Sequence, residues 1–163
     1  MNWRKGIPAG VLVCTVIVVY MTTWHGRRPA TGSAPSVVTA DIQAGIESHI
    51  DEQTRLGGGY FTLPFDGGQL RLKLVRVHTE YLANLGPRRH FACVDLASTD
   101  GDVYDVDFFL AGDPGAMTVT ETTVHKINGQ PLYVWKQKWD KTWRRVPAEN
   151  APPELLGVIT NRD

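Results

Sequence analysis

The chain has 163 residues, of which 17 are basic, 17 are acidic and 42% are hydrophobic. This length suits one domain with a single core. All seventeen acidic residues but only thirteen of the seventeen basic ones lie after residue 28, so that part carries a formal charge of −4. Mild acidity argues against nucleic acid as a partner, because nucleic acid requires a basic face.

Residues 1–28 contain a long apolar run, uncharged and enclosed by two basic pairs. A helix rises about 1.5 Å per residue, so such a run would cross a bilayer core of about 30 Å. We therefore predict a single-pass signal anchor whose residues 7–25 span the cytoplasmic membrane. The basic pairs at its ends nearly balance, and we expect the short amino-terminal tail inside and the domain on the extracytoplasmic side.

Two other interpretations of this segment remain open. A cleaved signal peptide would have an apolar region of about 7–15 residues and small residues at its cleavage site. Here the bulky stretch from Tyr20 to His25 occupies that position. Lipidation at Cys14 would require a small preceding residue, and Val13 is larger than that. Both features favour an anchor that is retained.

Residues 29–39 carry no charge and are rich in proline, alanine, serine and threonine, a composition typical of a linker. We predict a globular domain over residues 40–147 and a carboxyl-terminal tail over residues 148–163. The two cysteines are Cys14 in the apolar segment and Cys93 in the domain. The domain is therefore expected to hold together by packing, without an internal disulfide.

Residues 40–56 show the pattern of an amphipathic helix. Ile42, Ile46 and Ile50 recur every four residues and form one apolar stripe. Thr39 is the predicted N-cap. Three consecutive glycines follow the helix and are expected to end it, because glycine adopts the left-handed cap conformation without strain.

After the helix the periodicity changes to two, which predicts antiparallel strands joined by short turns. One long strand starts at Leu70, slips at Leu74-Val75 and resumes as far as Tyr81; the slip predicts a bulge. The turns that separate the strands are predicted at Asp66-Gly67-Gly68, Gly86-Pro87, Asp100-Gly101, Asp113-Pro114-Gly115, Asn128-Gly129 and Asp140-Lys141.

The positions of these turns also predict which residues face each other. A loop with an even number of residues around Asp100-Gly101 would place Cys93 on the same face as Phe108. Counting residues outward from the Asn128-Gly129 and Asp140-Lys141 turns in the same way predicts three further cross-strand pairs: Trp135 with Thr122, Tyr133 with Val124, and Lys138 with Trp143.

One helix followed by a series of strands predicts an α+β fold: an N-terminal transmembrane helix, then one helix packed on a curved antiparallel sheet of about five or six strands. Over residues 40–146, the order of elements and the bend near Leu74 resemble the cystatin-like and NTF2-like folds, in which a curved sheet wraps an amino-terminal helix. Both families include enzymes, inhibitors and binding modules, so the resemblance implies the fold and leaves the activity open.

Acidic and basic residues are segregated along the strands. No Lys or Arg occurs between His90 and His125, and basic residues dominate residues 126–145. An acidic hairpin beside a basic one predicts cross-strand charge pairs, each worth about 0.2–1 kcal/mol. The alternative, a calcium site, would require a loop of D-x-D-x-D-G spacing, which is absent.

The histidines show no zinc-binding spacing either, so we expect no metal and no cofactor, and little change of thermal stability in calcium or zinc. Cys93 has apolar neighbours and no adjacent base, so a buried and unreactive thiol is expected. No catalytic residues are predicted.

Two hypotheses of function follow, from different classes. The first is a membrane-anchored extracytoplasmic domain without catalytic activity, which binds another envelope protein or component through Trp139, Trp143 and Arg144. The alternative is a small-molecule-binding or isomerase-like enzyme that uses an apolar cavity between sheet and helix. That cavity would be lined by Tyr81, Tyr104, Phe108, Tyr133 and Trp135, with Asp107 as the base.

Overall fold

The computed structural model describes residues 37–155. In this part of the chain one helix packs on a strongly curved antiparallel sheet, an α+β fold compatible with the cystatin-like or NTF2-like arrangement. No helix among these residues is long and apolar enough to cross a membrane. The predicted anchor over residues 7–25 lies outside the described residues.

Helix α1 comprises Thr39–Leu56. Its N-cap is Val38 and not the predicted Thr39, because the Asp41 carboxylate reaches back and accepts the Val38 N–H at 3.0 Å. This acid also suits the positive end of the helix dipole. The predicted stripe Ile42, Ile46 and Ile50 is confirmed, since all three are buried.

The main sheet has seven strands in the order β1-β2-β4-β5-β6-β7, and β3 pairs with β4. The strands are β1 Phe61–Phe65, β2 Gly68–Val77, β3 Ala83–Gly86, β4 Arg89–Ser98, β5 Val103–Ala111, β6 Thr118–Ile127 and β7 Gln130–Pro131. A separate hairpin is formed by β8 Tyr133–Gln137 and β9 Trp143–Pro147. The described part therefore contains more strands than the five or six expected.

Bulges in β2 and β6 account for the curvature, because a bulge bends its strand. The slip predicted at Leu74-Val75 is confirmed as a shift between Leu74 and Arg76. The predicted continuation of this strand to Tyr81 is wrong. After Val77 the chain forms a 3₁₀ turn, Thr79–Tyr81, in which Tyr81 N–H donates to the His78 carbonyl at 3.0 Å.

The β4–β5 register differs by one residue from the prediction. Cys93 pairs with Asp107, and Ala92 pairs with Phe108. The cause is an odd loop: Ser98 N–H donates to the Asp102 carbonyl at 2.8 Å and leaves three residues between them. A shift of one residue turns every side chain to the other face of the sheet.

The register of the β8–β9 hairpin also differs by one residue from the prediction. Lys138 N–H donates to the Thr142 carbonyl at 2.7 Å, so the loop again has three residues, the last of which is Lys141 at φ +66°. Trp143 consequently pairs with Gln137 and not with Lys138.

The Asn128-Gly129 turn is confirmed, with φ of +50° and +79° as a type I′ turn requires. The long pairing predicted beyond it is wrong, because β6 pairs only with Gln130–Pro131. Proline offers no N–H to the ladder. The chain leaves the sheet after Leu132, so the predicted neighbours Trp135–Thr122 and Tyr133–Val124 do not pair.

Hairpin β8–β9 instead folds over the face of the sheet opposite α1. Tyr133 lies on His125, and Arg145 contacts Thr123 at 2.7 Å and Glu121 at 2.8 Å. The sheet thus has a helix face and a hairpin face. The helix face contributes a continuous apolar core with α1: Ala92, Val94, Leu96, Val106, Phe108 and Leu110.

The chain after β9 ends, within the described residues, in a second 3₁₀ turn at Pro153–Leu155. Leu155 is buried in the same core.

Candidate functional site

A polar cluster lies buried on the hairpin face. Its members are Cys93 of β4, Asp105 and Asp107 of β5, and His125 of β6. Each offers one sulfur, oxygen or nitrogen atom that lies within 4.8 Å of the others. The one-residue change of register is what gathers them, because it places Cys93 directly opposite Asp107.

Asp105 holds one polar group with each oxygen. The Cys93 thiol donates to Oδ1 at 2.6 Å, and the Lys126 ammonium donates to Oδ2 at 2.5 Å. Burial by itself would raise the pKa of Asp105, but the hydrogen bonds from Cys93 and Lys126 outweigh it and hold the pKa below its usual value. Burial likewise opposes the charge of Lys126, yet the bond with Asp105 raises its pKa overall.

Asp107 is 1% exposed, and only one of its two carboxylate oxygens has a hydrogen-bond partner among the described residues. Its Oδ2 accepts a hydrogen bond from the Tyr133 hydroxyl at 2.7 Å. Its Oδ1 has no hydrogen-bond partner among the described residues. The nearest basic atom of the cluster is His125 Nδ1, at 3.7 Å from this oxygen and 3.9 Å from Asp105 Oδ1.

Tyr133 of β8 contacts two members of the cluster, Asp107 and His125. Its ring stacks on His125 with 4.7 Å between centroids. Burial, followed by the charge of Asp107, raises the pKa of the phenol, so the hydroxyl stays protonated and donates. Tyr133 thereby orients both Asp107 and His125.

Cys93 is buried, as the sequence predicted. Burial, the hydrogen bond to Asp105 and the charge of Asp107 all raise the pKa of its thiol. A neutral thiol is a poor nucleophile. Its predicted neighbour Phe108 lies on the other face of the sheet, however, so the environment of Cys93 is acidic and not apolar.

A second polar group surrounds His78, directly after β2. Its Nδ1 lies 2.5 Å from Arg76 Nη2, and its Nε2 lies 2.9 Å from Asp95 Oδ1 without the alignment of a hydrogen bond. Arg76 also contacts Asp95 and Glu80 at 3.7 Å and 3.3 Å. Because the guanidinium already neutralises these acids, this group forms an ion-pair network.

The residues predicted to line a cavity lie on both faces of the sheet. Asp107, Tyr133 and Trp135 do come together on the hairpin face. Tyr104 is on the helix face, against Phe65, and Tyr81 is exposed beside His78. Phe108 is fully buried in the helix-face core. The structure does not unite these side chains around one space between sheet and helix.

The loop and ends of hairpin β8–β9, residues 136–144, form the hairpin tip. Trp139 is 96% exposed and Trp143 is 60% exposed. Arg144 is also exposed and pairs across the hairpin with Lys136. The three residues predicted as an interaction surface are therefore all exposed at this end of the hairpin. Trp143 and Arg144 are successive residues of β9, so their side chains point to opposite sides of the hairpin.

The sequence prediction missed the polar cluster because the predicted register put Cys93 and Asp107 on different faces of the sheet, whereas the two residues pair. The signal that could have found it is the stretch Thr99-Asp100-Gly101. A three-residue hairpin loop commonly ends in a left-handed glycine, and Gly101 has φ +97°. An odd loop there places Cys93 opposite Asp107.

No known protein family, curated protein or solved structure matches this chain. The side chains described above are therefore what points to a function.

Proposed function

We propose that this protein is a membrane-tethered binding domain that docks on an acidic protein of the cell envelope through its hairpin tip. The observation that carries this proposal is the exposure of Trp139 and Trp143, 96% and 60% respectively, at the turn end of hairpin β8–β9. Large exposed aromatic side chains are typical of binding surfaces, and tryptophan and arginine often dominate the energy of protein interfaces.

Charge indicates what the tip binds. The tip carries four exposed cations around the two tryptophans: Lys136, Lys138, Lys141 and Arg144. Its one acid, Asp140, accepts the Thr142 N–H at 2.9 Å and the Thr142 hydroxyl at 2.6 Å, so it serves the turn. A basic surface on a domain that is acidic overall favours an acidic partner and speeds its association.

The shape of the basic surface favours a protein as the partner. Basic and apolar groups continue from the tip along the outer side of the hairpin, where Lys136 pairs with Arg144 and Val134 is partly exposed. Exposed aromatic groups together with cations are a composition typical of protein interfaces, in which tryptophan and arginine are enriched. In this proposal the anchor over residues 7–25 and the linker over residues 29–39 hold the domain near the extracytoplasmic face of the membrane.

Site-specific photocross-linking in intact membranes tests the proposal. A photoreactive amino acid at position 139 of the full-length chain should form an adduct with one acidic protein. The matched control places the same group at position 81, because Tyr81 is also an exposed aromatic residue. That control should give no such adduct.

The charge requirement is tested on the same adduct. Lys136→Glu should abolish it, whereas Lys73→Glu, at an exposed lysine of β2, should preserve it. Trp143→Ala should also abolish it. An adduct that forms equally from position 81, or that survives Lys136→Glu, contradicts the proposal. So does equal, tip-dependent binding to vesicles of anionic phospholipid alone, which would make lipid the partner.

A further inference from the structure

We propose that Cys93, Asp105, Asp107 and His125 form a binding site for one divalent transition-metal ion of the zinc class. This inference is independent of the binding function proposed for the hairpin tip. It also reverses the expectation that zinc leaves the protein unchanged, which rested on ligand spacing along the sequence.

The two carboxylates are oriented as metal ligands. Each has one oxygen held from outside the cluster: Lys126 holds Asp105 Oδ2 at 2.5 Å, and Tyr133 holds Asp107 Oδ2 at 2.7 Å. The two Oδ1 atoms face inward, toward His125 Nδ1. Outer hydrogen bonds of this kind orient metal ligands in proteins and increase their affinity for the ion.

The unpartnered oxygen of Asp107 is an independent indication of a ligand. This atom is buried and lacks a hydrogen bond within the described residues. Leaving a buried acceptor unsatisfied costs about 1–3 kcal/mol, and more for a charged group. A cation at the centre of the cluster would satisfy it, because Oδ1 already points there.

The separations between ligand atoms suit a small ion. Four ligands at about 2.0–2.3 Å from a tetrahedral zinc lie roughly 3.3–3.8 Å apart. His125 Nδ1 lies 3.7 Å and 3.9 Å from the two inner carboxylate oxygens, so a movement of a few tenths of an ångström toward them would give this spacing. The Cys93 sulfur, now 2.6 Å from Asp105 Oδ1, would move outward as the ion replaces the thiol proton between them.

The donor types select the class of ion. Calcium and magnesium prefer oxygen ligands alone, whereas a thiolate and an imidazole suit zinc and similar transition metals. The formal charges also balance. A Cys93 thiolate, two carboxylates and the Lys126 ammonium sum to −2, which a divalent cation neutralises. Binding releases the thiol proton of Cys93 to solvent.

Access to the cluster lies on its β6 side. The His125 side chain is 20% exposed and the Lys126 side chain is 32% exposed. An ion could therefore reach the inner oxygens past these two residues, without unfolding of the helix-face core.

Competition with a chromophoric chelator tests the site on the untagged, full-length protein in detergent. We expect one zinc ion per chain. Cobalt(II) in place of zinc should give a thiolate-to-cobalt charge-transfer band. Cys93→Ser should abolish that band, and Asp107→Asn and His125→Gln should each weaken zinc binding by about 100-fold or more, since even outer-sphere changes cost 10–100-fold.

Two matched controls remove a carboxylate nearby. Asp100→Asn changes an exposed acid of the β4–β5 loop. Asp95→Asn tests the competing ligand group of His78, Asp95 and Asp105, whose ligand atoms also lie within 4.8 Å of one another. Both should bind zinc as the wild type does. Near-ultraviolet circular dichroism of the metal-free variants checks that each is folded.

Three outcomes would overturn the site. One is wild-type protein that takes no zinc from the chelator. Another is a cobalt complex of the wild-type protein that lacks the thiolate band. This measurement does not depend on the folding of any variant. The third is binding that Asp95→Asn abolishes and Asp107→Asn preserves. None involves the tryptophans, so failure here leaves the hairpin-tip proposal standing.

Discussion

Both faces of the main sheet bury side chains of β5, but the two sets of buried side chains are chemically opposite. On the helix face, Val106 and Phe108 pack against the isoleucine stripe of α1. On the hairpin face, the alternating residues Asp105 and Asp107 of the same strand are also buried. Burial alone therefore does not distinguish a folding core from a site.

The chemistry of the buried groups makes that distinction. Apolar groups gain free energy when they leave water, whereas a buried carboxylate with an unpaired oxygen loses it. Groups that a fold retains at such a cost are candidates for function. We infer that the helix face stabilises the domain and that the hairpin face carries its chemistry.

The largest expected effect comes from the helix face. Phe108→Ala should lower the free energy of unfolding by about 3–5 kcal/mol, the usual range for a fully buried large aromatic residue. Urea denaturation of the metal-free protein measures this loss. Phe109→Ala is the matched control, because Phe109 is the next residue, faces the hairpin and is only partly buried. Equal losses for the two variants would contradict the division into two faces.

On the hairpin face, Tyr133→Phe should cost about 1–3 kcal/mol of unfolding free energy, because it leaves both oxygens of Asp107 without a hydrogen bond. Adding Asp107→Leu to this variant should recover most of the loss, since replacing both partners by apolar groups can be nearly neutral. Denaturation curves of the single and double variants provide the measurement. A double variant less stable than Tyr133→Phe would show that Asp107 stabilises the metal-free fold.

Locally encoded features of this fold were predictable. The turns at Asp66-Gly67 and Asn128-Gly129 have positive φ at both residues, which these residue types favour. The isoleucine stripe of α1 and the bulge after Leu74 were also readable, because each depends on a few neighbouring residues.

The candidate site was not predictable in the same way, because it depends on two features beyond local pattern. The first is whether the loop after Ser98 has two residues or three, which decides the face on which Cys93 lies. The second is the departure of the chain from β6 after Leu132, which carries Tyr133 over the hairpin face. A turn signal locates a reversal of the chain, but it does not tell where a strand leaves the sheet.

The hairpin tip should contribute little to stability. Trp139→Ala and Trp143→Ala should each change the free energy of unfolding by no more than about 0.5 kcal/mol, as is usual for exposed residues without a structural role. Thermal and urea denaturation both measure this. A loss comparable with that of Phe108→Ala would mean that these tryptophans are part of a core, and would remove the basis for a free binding surface.

The smallest expected effect is a pH dependence of the free energy of unfolding that comes from His49 of α1. Burial lowers the pKa of His49, whose ring contacts Phe61 and Phe108 at 6.2 Å and 6.3 Å between centroids. As the pH falls, His49 of the unfolded chain binds a proton near its usual pKa of about 6.5. His49 of the folded chain binds that proton only at a lower pH. Stability should therefore fall as the pH falls through that region.

His49→Phe isolates this contribution, because it keeps a ring in place and removes the titrating group. The wild type should lose stability relative to this variant between about pH 7.5 and pH 5.5. Parallel denaturation curves at the two pH values measure the difference. A difference that is independent of pH, or of opposite sign, would show that burial does not disfavour the charged His49.

X-ray absorption spectroscopy of the full-length protein loaded with one zinc ion tests most directly the claim that the hairpin face carries the chemistry. The ligand set of Cys93, His125 and the two carboxylates predicts one sulfur at about 2.3 Å and nitrogen and oxygen neighbours at about 2.0–2.2 Å. Cys93→Ser should remove the sulfur shell. A zinc ion surrounded only by nitrogen and oxygen in the wild type would contradict the account, because Cys93 would then not share a site with Asp105, Asp107 and His125.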